Sequence, residues 1–126
     1  MNSKIGIVGG VGFLGTRLAN RFEQAKQTFD IFDIKSTNDS VNYADVEDES
    51  SLEALQGCDL IINLAAMHRD DIKPVSRYDD VNVKGAENLC KVARKFGISK
   101  IIFTSSVAVY GFSEAETGED GEHNYF

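Results

Sequence analysis

Three glycines near the start of the chain have the spacing of a phosphate-binding turn. Gly9, Gly12 and Gly15 lie three residues apart in GGVGFLG, which follows an apolar segment and precedes a helical pattern. The first would permit a tight turn, the second the approach of a pyrophosphate, and the third close packing of helix on strand. A helix beginning here would add free N–H groups and partial positive charge. Alone, the pattern also fits a flexible turn.

An acidic residue follows at the position that a dinucleotide-binding unit requires. Asp33 ends the second apolar segment, close to the roughly 20-residue distance expected for the carboxylate that binds the adenosine ribose hydroxyls. A carboxylate there would repel a 2′-phosphate, which favours NAD over NADP, although Lys35 leaves this preference open. Asp33 could instead only begin a turn. The glycines and Asp33 together are much more specific than either feature alone.

Two further segment ends carry residues suited to a flat ligand. Asp45 could accept a hydrogen bond from the exocyclic amine of adenine, with Val46 packing on the ring. This signal is weak by itself because aspartates commonly end strands. Small side chains at Ala65 and Ala66 would let the backbone approach a ligand closely.

The remaining polar stretches have less specific patterns. Hydroxyls at 104–106 stand where a nicotinamide and a substrate would meet, or simply at a sheet edge, and the flanking glycines of a nucleophile elbow are missing. The cluster at 68–71 has no standard metal-ligand spacing, so we predict no metal site. Arg69 or Lys73 could contact a phosphorylated substrate.

Strand-like and helix-like segments alternate along the chain. This order predicts an α/β fold, a Rossmann-like doubly wound parallel sheet with helices on both faces and a ligand site beyond the carboxyl ends of the strands. The first helix is predicted to bury a stripe of Leu14, Leu18, Phe22 and Ala25. The predicted strands are 4–9, 28–33, 41–45, 58–66 and 100–106, with helices from Gly12, over 48–57 and over 79–96. We expect a domain over 1–110 and an acidic loop over 111–126.

Composition narrows the classes of partner. With 20 acidic against 13 basic residues and a formal charge of −7, the chain is an unfavourable partner for nucleic acid or an anionic membrane. No apolar run approaches the roughly 18 residues of a membrane span, and no signal peptide is evident. Cys58 and Cys90 are interpreted as reduced, buried thiols. These features favour a soluble, cytoplasmic protein.

The motifs taken together resemble the extended short-chain dehydrogenase/reductase family, in its NAD-dependent epimerase/dehydratase branch acting on nucleotide sugars. The resemblance extends from IGIVGGVGFLG to VYG and rests on GGVGFLG, Asp33, ADV, NLAA, DVNVKGAENL and IIFTSSVAVYG. It implies NAD as cofactor, a nucleotide-sugar substrate and a homodimeric parent enzyme that pairs the 79–96 helix in a four-helix bundle.

The resemblance also implies a role for each matching residue. Ser106 matches the catalytic serine or threonine that hydrogen-bonds the sugar oxygen, and Asn82 matches a helix asparagine that steadies the active site. The full set of implied cofactor-binding residues is Gly9, Gly12, Phe13, Leu14, Gly15, Asp33, Ile34, Asp45, Val46, Leu64, Ala65, Ala66, Asn82 and Ser105.

The chain departs from the family pattern at two points. Val8 stands where the family usually has threonine, a small change to the turn. The Tyr-x-x-x-Lys pair that performs acid–base chemistry in the family does not occur in these 126 residues. We therefore expect the N-terminal part of a longer enzyme, inactive alone. The alternative is a dinucleotide sensor of the same fold without catalysis.

Overall fold

The computed structural model describes residues 3–35, 38–66, 73–74, 76–106 and 118–121. Within them are five strands, and helical segments follow the first, third and fourth of these strands, in the order predicted. The strands are β1 (Ile5–Val8), β2 (Phe29–Asp33), β3 (Val41–Tyr43), β4 (Leu60–Asn63) and β5 (Lys100–Phe103), and the helices are α1 (Phe13–Gln24), a 3₁₀ helix (Glu49–Leu55), α2 (Ser76–Tyr78), a π-helical segment (Asp79–Lys84) and α3 (Gly85–Phe96).

All five strands pair in parallel in the order β3-β2-β1-β4-β5. The chain steps from β1 to β2 and β3 in one direction, then returns across β1 to β4 and β5. Because crossovers are right-handed, this reversal places α1 on one face and the 3₁₀ helix and α3 on the other. The doubly wound, Rossmann-like sheet predicted from the sequence is confirmed.

The main core lies between the central strands and the helices that follow β3 and β4. Val8, Phe32 and Ile61 face Leu52 and Leu89 there, and each of these side chains is almost completely buried. Burying a large apolar side chain contributes about 1.5–3 kcal/mol. This layer holds the strand ends, and therefore the loops beyond them, in a fixed arrangement.

The buried side of α1 differs from the predicted stripe. Gly15 and Ala19 are buried, Leu18 and Phe22 only partly so, and Leu14 is 50% exposed. The prediction for Leu14 and Ala25 was wrong. Gly15 must face inward for α1 to pack closely against the sheet. Because successive residues of a helix are rotated by about 100°, the side chain of Leu14 then points outward.

The helical run after β4 begins earlier than predicted and is not uniform. It starts at Ser76, passes through the π-helical segment, and continues as α3 to Phe96. Gly97 ends it in the left-handed conformation at φ 70°, which is common for a glycine after the last residue of a helix. A π-helical segment changes the facing of side chains relative to a regular helix.

The two cysteines differ in burial. Cys58 is buried as predicted, whereas Cys90 is only partly buried, because it lies beside the inward stripe of α3 rather than on it.

The predicted boundary at 110/111 and the cluster at 68–71 lie outside the described residues. None of the helices in the described part of the chain is long and apolar enough to cross a membrane.

Candidate functional site

A cavity of about 370 Å³ opens at the carboxyl ends of the strands. This is the edge at which open parallel sheets bind ligands. The lining residues are Val8, Gly9, Val11, Gly12, Asp33, Ile34, Lys35, Ala44, Asp45, Val46, Glu47, Leu64, Ala65, Ala66, Arg77 and Val81.

Two glycines of the turn after β1 are required by the protein's own packing. Gly9 has φ +77°, and a Cβ atom there would lie 2.7 Å from the backbone nitrogen of Ala65. A Cβ on Gly15 would lie 2.5 Å from the Cα and carbonyl oxygen of Gly10. Both distances are shorter than any real contact, so a side chain at either position would displace backbone.

Gly12 has no such requirement. It has an extended backbone at φ −71° and ψ −175°, which any residue can adopt. Its Cβ would meet only the Gly9 carbonyl oxygen, at an ordinary 3.7 Å. Gly12 is the N-cap residue of α1. No side chain caps this helix N-terminus by a hydrogen bond, and the first turn of α1 contains no acidic residue. The missing side chain therefore keeps the space open in front of a helix N-terminus that can attract an anion.

Asp33 joins the end of β2 to this turn. Its Oδ2 accepts a hydrogen bond from the Val11 amide at 3.0 Å, and its Oδ1 accepts one from the Lys35 amide at 3.0 Å. The residue is buried but lines the cavity. Each carboxylate oxygen can accept a further hydrogen bond, so the group remains able to bind ligand hydroxyls.

The loop after β3 presents Asp45 and Val46 to the cavity. The Asp45 Oδ1 atom accepts a hydrogen bond from the Glu47 amide at 2.9 Å, and the Ser51 hydroxyl bonds to both the Asp45 amide and carbonyl. The Val46 carbonyl accepts a hydrogen bond from the Asn88 side chain at 2.9 Å. The loop is thus held by its own turn and by α3.

An ion pair spans the same end of the cavity. The Arg77 guanidinium makes a bidentate contact with the Glu47 carboxylate, with 2.9 Å between Nη2 and Oε2. Asp80 adds a longer contact to the guanidinium at 3.7 Å. The hydrogen bonds that Arg77 donates to the Glu47 carboxylate raise the pKa of Arg77, so the guanidinium stays charged.

The end of β4 forms the middle of the cavity wall. The buried Asn63 side chain accepts a hydrogen bond from the Ala65 amide at 3.1 Å, and the Leu64 amide donates to the Val8 carbonyl at 2.7 Å. These bonds continue the strand pairing past the sheet edge and bring the backbone of Ala65 against Gly9.

The structure brings most of the predicted cofactor-binding residues to one cavity and leaves others beside it. Those in the lining are Gly9, Gly12, Asp33, Ile34, Asp45, Val46, Leu64, Ala65 and Ala66, whereas Phe13, Leu14, Gly15, Asn82 and Ser105 are outside it, as is Ser106, the predicted catalytic residue. Asn82 lies in the π-helical segment, and the two serines follow β5 and are exposed.

Sequence reasoning missed Glu47 and Arg77 as cavity residues. Glu47 directly follows the predicted Asp45–Val46 pair, which was a usable signal. Arg77 is 30 residues away, in a stretch where no local pattern distinguishes it from any exposed basic residue. In the described part of the chain, no group of three or more His, Cys, Asp and Glu side chains is arranged to hold a metal ion.

Comparison with known proteins identifies relatives of this arrangement. The sequence profile of the NAD dependent epimerase/dehydratase family matches residues 5–125. An Escherichia coli O157:H7 protein, N-acetyl-alpha-D-glucosaminyl-diphospho-ditrans,octacis-undecaprenol 4-epimerase, is 40% identical over 132 aligned residues. The match covers 100% of this chain and 39% of that relative.

Two solved structures show the same fold. A short-chain dehydrogenase/reductase superfamily protein from Agrobacterium tumefaciens with bound NAD has a TM-score of 0.88 at 24% identity, over 98% of this chain and 39% of that one. The Thermus thermophilus UDP-glucose 4-epimerase complex with NAD has a TM-score of 0.81 at 23% identity, over 93% and 42%. The chain therefore spans about two-fifths of these relatives.

Proposed function

The chain belongs to the NAD dependent epimerase/dehydratase family, and on that premise we propose that it forms the cofactor-binding part of a nucleotide-sugar epimerase or dehydratase. Such an enzyme transiently oxidises a sugar hydroxyl by hydride transfer to NAD. The proposal is supported by the cavity, which lies at the carboxyl ends of the strands where the strand order reverses between β1 and β4. Its lining residues are suited to a dinucleotide.

The observation that carries the proposal is the open space at Gly12. The protein's own packing explains Gly9 and Gly15 but does not require a glycine at position 12. A diphosphate at the N-terminus of α1 does require it, because a Cβ atom would occupy the place of the anion. The backbone amides of Phe13 and Leu14 in the first helical turn would donate to that anion.

Other cavity residues fit the remaining parts of the cofactor. Asp33 would accept hydrogen bonds from the adenosine ribose hydroxyls while its two backbone donors hold it in place. Asp45 would accept one from the adenine amine, with Val46 against the ring. Small residues at Ala65 and Ala66 leave the cavity wall open to a flat ligand.

The chemistry divides between the cofactor and the protein. Bound NAD would accept the hydride from the sugar. We propose that Ser106 hydrogen-bonds the reacting sugar oxygen and that Asn82 and Ser105 support that end of the site. No tyrosine among the 126 residues is followed four positions later by lysine, so we propose that this chain alone has no acid–base pair for turnover.

The substrate proposed is a sugar bound to a nucleoside diphosphate. The Thermus thermophilus relative is a UDP-glucose 4-epimerase, and the Escherichia coli relative is named for a sugar carried on a lipid diphosphate. The shared chemistry is a sugar diphosphate. In the whole protein we propose a homodimer, consistent with the exposed Val83 on the helical run after β4.

Calorimetry with NAD and NADP tests the cofactor assignment. We expect the 126-residue chain to bind NAD and to prefer it over NADP, and to show no turnover with UDP-sugars or lipid diphosphate sugars. No binding of either dinucleotide would refute the function. Turnover by this chain alone would refute the proposed division of roles, and NAD binding by an extended protein that turns over no sugar would favour the sensor alternative.

A further inference from the structure

We infer that Arg77 is a positioning residue that makes the cavity selective for adenine, acting through Glu47 on Asp45. This inference rests on the proposed function, since it concerns the end of the cavity assigned to the adenine base. It assigns a role to Arg77 and Glu47, neither of which was predicted from the sequence as a site residue.

The first step is the contact between Arg77 and Glu47. Both planar groups are aligned for two parallel hydrogen bonds, one of them 2.9 Å between Nη2 and Oε2. Bidentate pairing restricts orientation as well as distance, unlike a single contact to a lysine. The pair joins α2 to the loop after β3, and both residues line the cavity.

The second step leads from Glu47 to Asp45. The Glu47 amide donates to the Asp45 Oδ1 atom at 2.9 Å, so the rotation of the Asp45 carboxylate depends on the placement of the Glu47 backbone. Arg77 holds the Glu47 side chain and compensates its negative charge beside Asp45. Without Arg77, the Glu47 carboxylate would be unrestrained and its charge uncompensated. Repulsion between the carboxylates of Glu47 and Asp45 would then move them apart.

The third step is the support of Val46 from α3. Asn88 donates to the Val46 carbonyl at 2.9 Å, and Gly85 allows Val46 so close that a Cβ would lie 2.7 Å from its Cγ2. The helical run therefore contacts two successive loop residues, Val46 and Glu47, directly after Asp45. The Arg77–Glu47 ion pair is thus one of several contacts that restrain the short loop segment next to Asp45.

The consequence is selectivity for the base. A carboxylate can only accept hydrogen bonds, so it favours the exocyclic amine of adenine and disfavours the carbonyl at the same position of hypoxanthine. An Asp45 carboxylate held in one orientation discriminates between adenine and hypoxanthine. A mobile carboxylate can rotate away from the hypoxanthine carbonyl and so avoid the repulsion. Losing Arg77 should thus reduce discrimination more than it reduces binding of the rest of the dinucleotide.

The test compares NAD with nicotinamide hypoxanthine dinucleotide by calorimetry on the 126-residue chain. We expect the parent to prefer NAD and Arg77→Met and Glu47→Gln each to lower that preference roughly two- to fivefold, the range of partly exposed ion pairs. The exchanged double variant, Arg77→Glu with Glu47→Arg, should recover part of it. Asp45→Asn should lower the preference at least as far.

Lys95 and Glu53 supply a matched control. They form an exposed ion pair between α3 and the 3₁₀ helix, away from the cavity lining. Lys95→Met should leave the preference unchanged even if it lowers the melting temperature. A purely structural role for Arg77 would lower stability without changing the ratio of affinities.

The outcomes separate the two proposals. Unchanged preference in folded Arg77→Met and Glu47→Gln, or an equal loss for both dinucleotides, would overturn the role of Arg77 while leaving NAD binding intact. Absence of NAD binding in the parent would instead overturn the proposed function, and this inference with it. Circular dichroism establishes that each variant is folded.

Discussion

The Asp33 carboxylate accepts a hydrogen bond from the backbone amide of Val11 at 3.0 Å. This bond joins the end of β2 to the glycine turn after β1, so the two parts of the candidate dinucleotide site are positioned by one another. A second bond, from the Lys35 amide, fixes the other carboxylate oxygen. The residue assigned to the ribose therefore also holds the turn assigned to the diphosphate.

Asp33→Asn should weaken NAD binding by roughly 10- to 100-fold, because it removes charge-assisted hydrogen bonds to the ribose and replaces one acceptor of the turn with a donor. The preference for NAD over NADP should fall as well, since the repulsion of a 2′-phosphate is removed. Calorimetry with both dinucleotides measures this. Asp39→Asn, which removes an equal charge from an exposed loop, is the control and should bind NAD as the parent does.

Gly12→Ala and Gly15→Ala should fail in different ways. The added methyl at Gly15 meets the backbone of Gly10 at 2.5 Å, so we expect a loss of stability of about 1–3 kcal/mol or more. The methyl at Gly12 makes only an ordinary 3.7 Å contact with the Gly9 carbonyl oxygen, so stability should change by less than about 1 kcal/mol while NAD binding is lost. Urea unfolding and calorimetry separate the two effects. Equal loss of stability in both variants would contradict the assignment of Gly12 to a ligand.

Gly85→Ala should destabilise the fold through its contact with Val46. The new Cβ would lie 2.7 Å from the Val46 Cγ2 atom, and Val46 is itself buried, so we expect a cost of about 1–3 kcal/mol. Val46→Ala removes the obstructing methyls. The double variant should be more stable than the sum of the single effects predicts, by about 0.5 kcal/mol or more. Additive effects in urea unfolding would show that the two positions are not coupled.

Stability should decline at alkaline pH because of Cys58. Burial raises the pKa of this thiol above its ordinary value of 9.0. The thiol exposed by unfolding releases its proton at lower pH than the folded one. The unfolded chain therefore binds fewer protons above about pH 9, and the free energy of unfolding falls as pH rises.

Cys58→Ala should show a shallower decline between about pH 8 and 10 in urea unfolding followed by circular dichroism. Lys4 acts in the same direction at higher pH, because the hydrogen bond to Asp30 raises its pKa above 10.5. Its stabilising charge is present below that value and lost above it. Lys4→Met should remove the part of the decline above pH 10.5, and it should deepen the part due to Cys58, because the Lys4 charge lowers the pKa of that thiol. An unchanged slope in Cys58→Ala would exclude the thiol as the cause.

Local sequence patterns were enough to predict the order of strands and helices along the chain and the helix ends that lie next to glycines. The strand predicted over 58–66 contains β4, and the helix predicted over 79–96 ends at the same residue as α3, Phe96. These features depend on neighbouring residues, whose preferences act over one or two turns of chain. The rotation of α1 was mispredicted because it depends on the approach of Gly15 to Gly10, a tertiary contact.

The sequence by itself determined the α/β class, the glycine turn and the acidic residue at the end of β2, since each is encoded by residue types at short spacing. Only the tertiary structure decided which glycine is free of internal contacts and which distant side chains share the cavity. Arg77 meets Glu47 across 30 residues because two crossovers of opposite direction bring α2 beside the loop after β3. Such a meeting is set by the packing of layers, which no short stretch of sequence contains.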